Sequence, residues 1–133
     1  MAMLLAAALS LAVAPARAKE SEPAKEAKDA PHEVAIVGEV VETACWVMAA
    51  RRGEAHRACA IASARAGQDL GLLDDKGNLY LVVRDLTGRA EPNPLRDVIA
   101  ERVEIRGMLI ERGGARAILA RHVHSLSEPK KTP

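Results

Sequence analysis

Five segments of the chain are rich in apolar and β-branched residues, and in the longer ones hydrophobic and polar residues alternate. Such alternation places the apolar side chains on one face of a sheet and the polar side chains on the other. We predict strands at residues 34–43, 70–73, 79–84, 102–111 and 115–123. The turn sequence DDKGN at residues 74–78 joins the second and third strands, so these two are predicted to form a hairpin.

Two short helices are predicted between the strands. An Ala-rich helix at residues 54–66 ends before Gly67, a residue type that commonly follows the last turn of a helix. A second helix is predicted at residues 93–101, because Asn93 is suited to cap it and Pro94 to occupy its first position. The apolar stripe of this second helix consists of Leu95, Val98 and Ile99.

The order of these elements is that of an oligonucleotide/oligosaccharide-binding (OB) barrel. Three strands, a helix and two further strands follow one another, and Gly38 and Gly107 lie inside the first and fourth strands. A glycine in the middle of a strand, such as Gly38, predicts a bulge or a sharp coil. We therefore expect a mainly β protein with two short helices, folded as a five-stranded OB-like β-barrel with a helical insertion between strands one and two.

The first 33 residues lie outside this predicted domain. An apolar run at residues 3–14 has the length of a signal peptide, and Ala16-Arg17-Ala18 supplies a small-x-small cleavage site. We predict a signal peptide at 1–18, a flexible linker at 19–33, the OB-like domain at 34–126 and a disordered tail at 127–133. The expected location is periplasmic or secreted, with no membrane insertion after the signal peptide is removed.

Composition argues against two functional classes. Removal of Arg17 with the leader leaves 18 basic and 18 acidic residues, and a balanced charge produces no long-range field for nucleic acid. The chain has no Phe, one Trp and one Tyr, which leaves little aromatic surface for base stacking. It also contains neither a nucleophile elbow nor a phosphate-binding glycine loop. We predict no nucleic-acid partner and no enzymatic activity.

The two cysteines, Cys45 and Cys59, are predicted to form a structural disulfide, because an exported chain meets oxidising conditions. The bridge would close a loop of about 15 residues and contribute roughly 3 kcal/mol to stability. We expect it to hold the helix at 54–66 against the barrel. The helix face predicted to meet the barrel is lined by small residues, namely Ala55, Cys59, Ala62 and Ala66.

The same stretch also suggests a metal site as an alternative. His56 and Cys59 are three residues apart on the predicted helix, so they project from one face. Cys45, His56 and Cys59 are candidate metal ligands, with Ser63 or water completing the shell. His122 and His124 alternate at the end of strand five and form a second candidate pair. No resident cofactor is expected, with a transition metal or haem as the alternative.

The candidate ligand-binding residues are Trp46, His56 and Arg57, which lie between Cys45 and Cys59 in the sequence. Through C-W-x9-H-x2-C-x3-S at 45–63 and the following AGQDLGLLDDKGNLYLV, residues 34–124 resemble a family of small exported bacterial OB-like proteins. In that family a third cysteine matches Ser63. The resemblance implies either a tetrahedral metal site or a disulfide beside a reactive thiol.

The segment AILARHVHS resembles the end of the OB-fold haem chaperones of cytochrome c maturation, in which the histidine matching His122 binds haem. The expected function is an exported OB-like binding or interaction module, stabilised by a disulfide, whose partner is a small ligand or a protein. Two alternatives stay open. One is a periplasmic metal- or haem-handling protein, and the other is a structural accessory domain that binds a partner protein through a barrel edge.

Overall fold

The computed structural model describes residues 30–83 and 93–127. The predicted signal peptide, most of the linker and the end of the tail lie outside the described residues. The strands are β1 (His32–Glu42), β2 (Leu70–Asp74), β3 (Leu79–Val83), β4 (Arg102–Arg112) and β5 (Ala115–Ser125). The helices are α1 (Thr43–Ala49) and α2 (Arg57–Arg65), and short 3-10 turns occur at Glu54–His56 and Arg96–Val98.

The five strands form a closed barrel in the order β1-β2-β3-β5-β4. β3 and β5 pair in parallel, whereas the other neighbouring strands pair antiparallel. A helical connection lies between β1 and β2, as predicted. The structure therefore confirms a mainly β, five-stranded OB-like barrel with a helical insertion between strands one and two.

β1 is the strand that joins the two halves of the barrel. Its residues 32–39 pair with β4, and its residues 38–42 pair with β2. Gly38 belongs to both ladders, and a Cβ atom at this position would overlap the carbonyl oxygen of Leu73. The register runs through Gly38 without a shift on either side. The glycine thus serves the close approach of β2, and the bulge predicted there is not formed.

A register shift occurs instead at the second mid-strand glycine. Arg106 pairs with His122 across the β4–β5 ladder, whereas Gly107 pairs with Ala120. Arg121 is therefore the extra residue of a β-bulge. Bulges increase the local bend of a strand pair, which helps a small barrel to close.

Helix α2 packs against the barrel and contributes two alanines to its core. Both Ala60 and Ala64 are 3% exposed, and their small side chains allow close approach of the helix. The full core consists of Val40, Ala60, Ala64, Leu70, Leu72, Tyr80, Leu95, Ile99, Val103, Ile105, Leu109 and Ile118. The four residues predicted to face the barrel are all exposed: Ala55, Cys59, Ala62 and Ala66.

This helix face was predicted wrongly because the anchor of α2 is Arg57. Its Nη1 donates a hydrogen bond of 2.7 Å to the carbonyl oxygen of Ile99, on the segment that precedes β4. Residues three and seven positions after Arg57 share its side of the helix, and these are Ala60 and Ala64. The side of the helix that carries Arg57, Ala60 and Ala64 therefore faces the barrel, and Cys59 lies on the exposed side.

The helix predicted at 93–101 is only the 3-10 turn at Arg96–Val98. Leu95 and Ile99 are buried as expected. The helix does not continue because the next residues join β1. The N–H of Ala100 donates to the carbonyl of Val40 at 2.9 Å, and Val40 donates back to Glu101 at 3.0 Å.

Candidate functional site at helix α1

Thr43, predicted as the last residue of strand one, begins helix α1, which was not predicted from the sequence. Glu42, the last residue of β1, caps this helix with both carboxylate oxygens. Oε1 accepts a hydrogen bond of 2.8 Å from the N–H of Ala44, and Oε2 accepts one of 2.9 Å from the N–H of Cys45. At the other end Ala50 adopts a left-handed φ of 50°, and its N–H donates to Trp46 at 2.8 Å. A helix of seven residues is therefore fixed at both ends.

Helix α1 has no buried residue. Val47 is 67% exposed and Met48 is 83% exposed, although both side chains are apolar. Trp46 and Cys45 are partly buried. The helix therefore presents an apolar face to solvent and contributes little to the barrel core.

Two arginines border this apolar face. The guanidinium carbon of Arg52 lies 5.7 Å from the ring centroid of Trp46, which is the geometry of a cation–π contact. Arg51 and Arg52 are both exposed. The N–H of Gly53 donates to Oε1 of Glu39 at 2.5 Å, which holds the loop after α1 against β1.

Glu42 also controls the thiol of Cys45. Burial acts to raise the pKa of the Glu42 carboxyl. This pKa nevertheless lies below its ordinary value, because the carboxylate accepts hydrogen bonds from the Cys45 thiol and from the amides of Ala44 and Cys45, and because His56 is nearby. The pKa of the Cys45 thiol is raised, and its hydrogen bond to Glu42 is the largest cause. Together with burial and the negative charges of Glu42 and Cys59, it raises the pKa of the Cys45 thiol to about 11.

Both predicted disulfide partners are free thiols in the structure, with Cys45 partly buried and Cys59 exposed. Nε2 of His56 is buried and has no hydrogen-bond partner among the described residues. Within residues 30–83 and 93–127, no group of three or more His, Cys, Asp or Glu residues is arranged to hold a metal ion. The disulfide and the metal set of Cys45, His56 and Cys59 stay predictions.

Arg57, one of the predicted ligand-binding residues, has structural partners. Besides the bond to Ile99, its Nη1 lies 3.3 Å from Oε1 of Glu101 and 3.9 Å from Oε2 of Glu54. These contacts tie the first turn of α2 to the segment before β4. A ligand-binding role for Arg57 stays a prediction.

His122 and His124 lie on the same face of β5, as their alternation predicts. Together with Glu104 and Arg106 they line an open groove of about 260 Å³. Nε of Arg106 binds Oε1 of Glu104 at 2.6 Å, so the charges of this groove are partly paired. The metal- or haem-binding role of the two histidines stays a prediction.

A larger cavity, of about 350 Å³, lies between α2 and the turn at Arg96–Val98. Nη2 of Arg96 donates a hydrogen bond of 3.3 Å to the carbonyl oxygen of Ala64, which closes one wall. The lining residues are Ile61, Ala64, Arg65, Arg96, Asp97 and Ile99. This cavity is separate from the face of α1.

Comparison of the chain with protein-family models, with curated proteins and with solved structures gives no match. In the part of the chain that the structure describes, no helix has the length and apolar character needed to cross a membrane.

Proposed function

We propose that the protein is an exported, non-catalytic OB-like module that binds a partner protein through the α1 surface, which we define as Trp46, Val47, Met48, Arg51 and Arg52. The observation that carries this proposal is the exposure of α1. A helix without a single buried residue presents Val47 and Met48 at 67% and 83% exposure. Adjacent exposed apolar side chains on an ordered element are typical of an interaction site.

The rigidity of α1 supports this function. Glu42 binds two amides at the start of the helix, and Ala50 ends it in a left-handed conformation. A binding element that is already ordered loses less conformational entropy when its partner arrives. The caps thus maintain a helix that tertiary packing alone would not stabilise.

The charge next to the apolar residues indicates the chemistry of the partner. Arg51 and Arg52 follow Ala50, the residue that ends the helix. Asp75, which lies near Arg52, is bound by both Nη atoms of Arg102. A symmetric dimer through this surface would place arginines against arginines. We therefore infer a different protein whose apolar contact site is bordered by Asp or Glu.

The position of α1 in the fold agrees with this assignment. OB folds bind ligands with the connection between their first two strands, and α1 lies in that connection. This support is an analogy between folds. Because the five described strands close into a barrel, they offer no free edge for strand addition, so the helix is the better candidate for a protein contact.

The proposal is tested with the mature protein and a peptide display library. We expect the enriched peptides to combine apolar residues with Asp or Glu. For a synthetic peptide of this kind, fluorescence anisotropy should give a Kd at least about 10-fold weaker when its acidic residues are replaced by Lys, since each tenfold change corresponds to about 1.4 kcal/mol.

Matched variants locate the site. Met48→Asp places a negative charge on the α1 surface and should weaken binding of the acidic peptide by about 10-fold or more. Leu126→Asp is the control, because Leu126 is also an exposed apolar residue, at 47%, but lies after β5. Equal affinities for the two variants, or enrichment of basic peptides, would rule out the α1 surface as the binding site.

A further inference from the structure

We propose that Cys59 and Cys45 form a directional thiol–disulfide exchange site, in which Cys59 reacts first with a disulfide of another molecule and Cys45 then displaces that molecule. This inference goes beyond the proposed binding function and does not depend on it. It adds an order of reaction to the disulfide expected from the sequence.

The first argument is the difference in exposure between the two cysteine residues. Cys59 is exposed in the first turn of α2, whereas Cys45 is partly buried at the start of α1. A thiol exchanges only with a disulfide that can reach its sulfur atom. An external disulfide therefore reaches Cys59 more readily than Cys45.

The second argument is the packing of α2 on β1, the strand that leads into α1. Arg57, two residues before Cys59, binds Oε1 of Glu101 at 3.3 Å. The carbonyl oxygen of Glu101 accepts a hydrogen bond of 3.0 Å from Val40, near the end of β1 and five residues before Cys45. Since α1 follows β1 directly, these contacts place α2, which carries Cys59, on the strand that leads to Cys45, and the charge of Cys59 acts on the Cys45 thiol.

The third argument is the environment of the Cys45 thiol. Its hydrogen bond to the Glu42 carboxylate, together with burial and that negative charge, raises the pKa of the Cys45 thiol to about 11. The attacking species in exchange is the thiolate. The folded protein thus keeps Cys45 mainly as the neutral thiol, which does not attack external disulfides. Once Cys59 carries a mixed disulfide, attack by Cys45 is intramolecular and is favoured by proximity.

The reaction has two steps. The thiolate of Cys59 attacks one sulfur of the external disulfide, so a mixed disulfide forms and the other external sulfur leaves as a thiolate. Cys45 then loses its proton, and its thiolate attacks the sulfur of Cys59. The Cys45–Cys59 bond forms, the second external thiolate leaves, and both leaving groups take up the released protons. The two cysteines are oxidised, and the external disulfide is reduced to two thiols.

The test uses the full mature chain in its reduced form, with oxidised glutathione as the probe and mass spectrometry as the measurement. The wild-type protein should end as an internal disulfide without bound glutathione. Cys45→Ser should accumulate a glutathione adduct on Cys59. Cys59→Ser should form its adduct on Cys45 at least about 10-fold more slowly, because burial and Glu42 protect that thiol.

Two controls separate an effect of the fold from the intrinsic reactivity of each cysteine. In concentrated urea the two single variants should react at similar rates, since the environment of Cys45 is lost. Ser63→Ala, on the same helix as Cys59, should behave as the wild type. Equal rates for the two cysteine variants in buffer, or faster reaction of the variant that retains only Cys45, would overturn the proposed direction.

Discussion

The buried side chain of Glu42 performs two tasks, and neither of them is visible in the strand pattern of the sequence. It is 2% exposed, it caps α1, and it binds the thiol of Cys45. In the sequence it is one polar residue near the end of an alternating segment, so it was assigned to strand one. A carboxylate that accepts several hydrogen bonds favours its charged form, which explains how it is accommodated in the barrel.

The first prediction concerns stability in acid. Because the pKa of folded Glu42 lies below its ordinary value of 4.5, its charged form stabilises the folded state at pH values above 4.5. This contribution should disappear as the pH falls through the lower folded value. Glu42→Gln should lower the free energy of unfolding at neutral pH by about 1–2 kcal/mol, since a helix cap is weakened. In this variant the free energy of unfolding should also decrease less than in the wild type as the pH is lowered.

Urea denaturation at neutral pH and at several values below 4.5 measures this effect. Glu111→Gln is a suitable control, because Glu111 pairs with Arg116 on the barrel surface and caps no helix. The interpretation fails if the two variants show the same stability and the same dependence on pH.

The second prediction concerns the thiol that Glu42 holds. In reduced Cys59→Ser protein Cys45 is the remaining thiol, and its thiolate absorbance should appear above pH 9.0, because the hydrogen bond to Glu42, the largest cause of its raised pKa, is retained. Since the folded pKa is raised, the neutral thiol stabilises the protein below pH 9.0, and this stability is lost as the pH rises through about 11. Adding Glu42→Gln should move the midpoint toward 9.0. An unchanged midpoint would show that the carboxylate is not the cause.

Among the elements, the strands were easier to predict than the helices. The strand segments carry β-branched residues and turn sequences that agree with their tertiary role, as in the hairpin of β2 and β3. Helix α1 was missed because TACWVMA contains two β-branched residues, Thr43 and Val47, and an aromatic one, Trp46, and these residue types favour a strand. The signal that could have revealed it is the loss of alternation after Glu42.

The third prediction tests which face of α2 meets the barrel. Ala64 is 3% exposed, so Ala64→Leu should overpack the core and lower the free energy of unfolding by about 1–3 kcal/mol. Ala62 lies on the exposed side of the same helix. Ala62→Leu should change stability by less than about 0.5 kcal/mol. Chemical denaturation of both variants gives the comparison, and a reversed order would support the face that contains Cys59.

For the whole molecule, the order of elements was enough to predict the barrel, because few closed sheets accommodate three strands, a helix and two strands. The candidate site was not predictable to the same extent. Cys45 and Trp46 were singled out, but the exposure of Val47 and Met48 depends on how α1 leaves the barrel, which no local pattern encodes. The histidines His122 and His124 share a face because strand alternation continues beyond the bulge.

The fourth prediction concerns export. Expression of the 133-residue chain in a bacterial host should give a mature protein that begins at Lys19, because Ala16-Arg17-Ala18 follows the apolar run as a cleavage site. Mass spectrometry of the intact protein from the periplasmic fraction measures this. Arg17 occupies the central, unrestricted position of the site, so Arg17→Gln should be cleaved normally, whereas Ala18→Arg should block cleavage. Recovery of the complete chain from the cytoplasm alone would contradict the prediction.

The parallel pairing of β3 with β5 has a consequence for the time course of folding. β5 is the last strand of the barrel, and it pairs with both β3 and β4. Until residues 115–125 have been synthesised, these two neighbours each retain a row of unpaired backbone groups, which can pair with other chains. The contacts that close the barrel also join residues far apart in sequence, which slows folding. A chain released before residue 115 is therefore expected to aggregate, and the barrel can form only after its carboxyl end has been made.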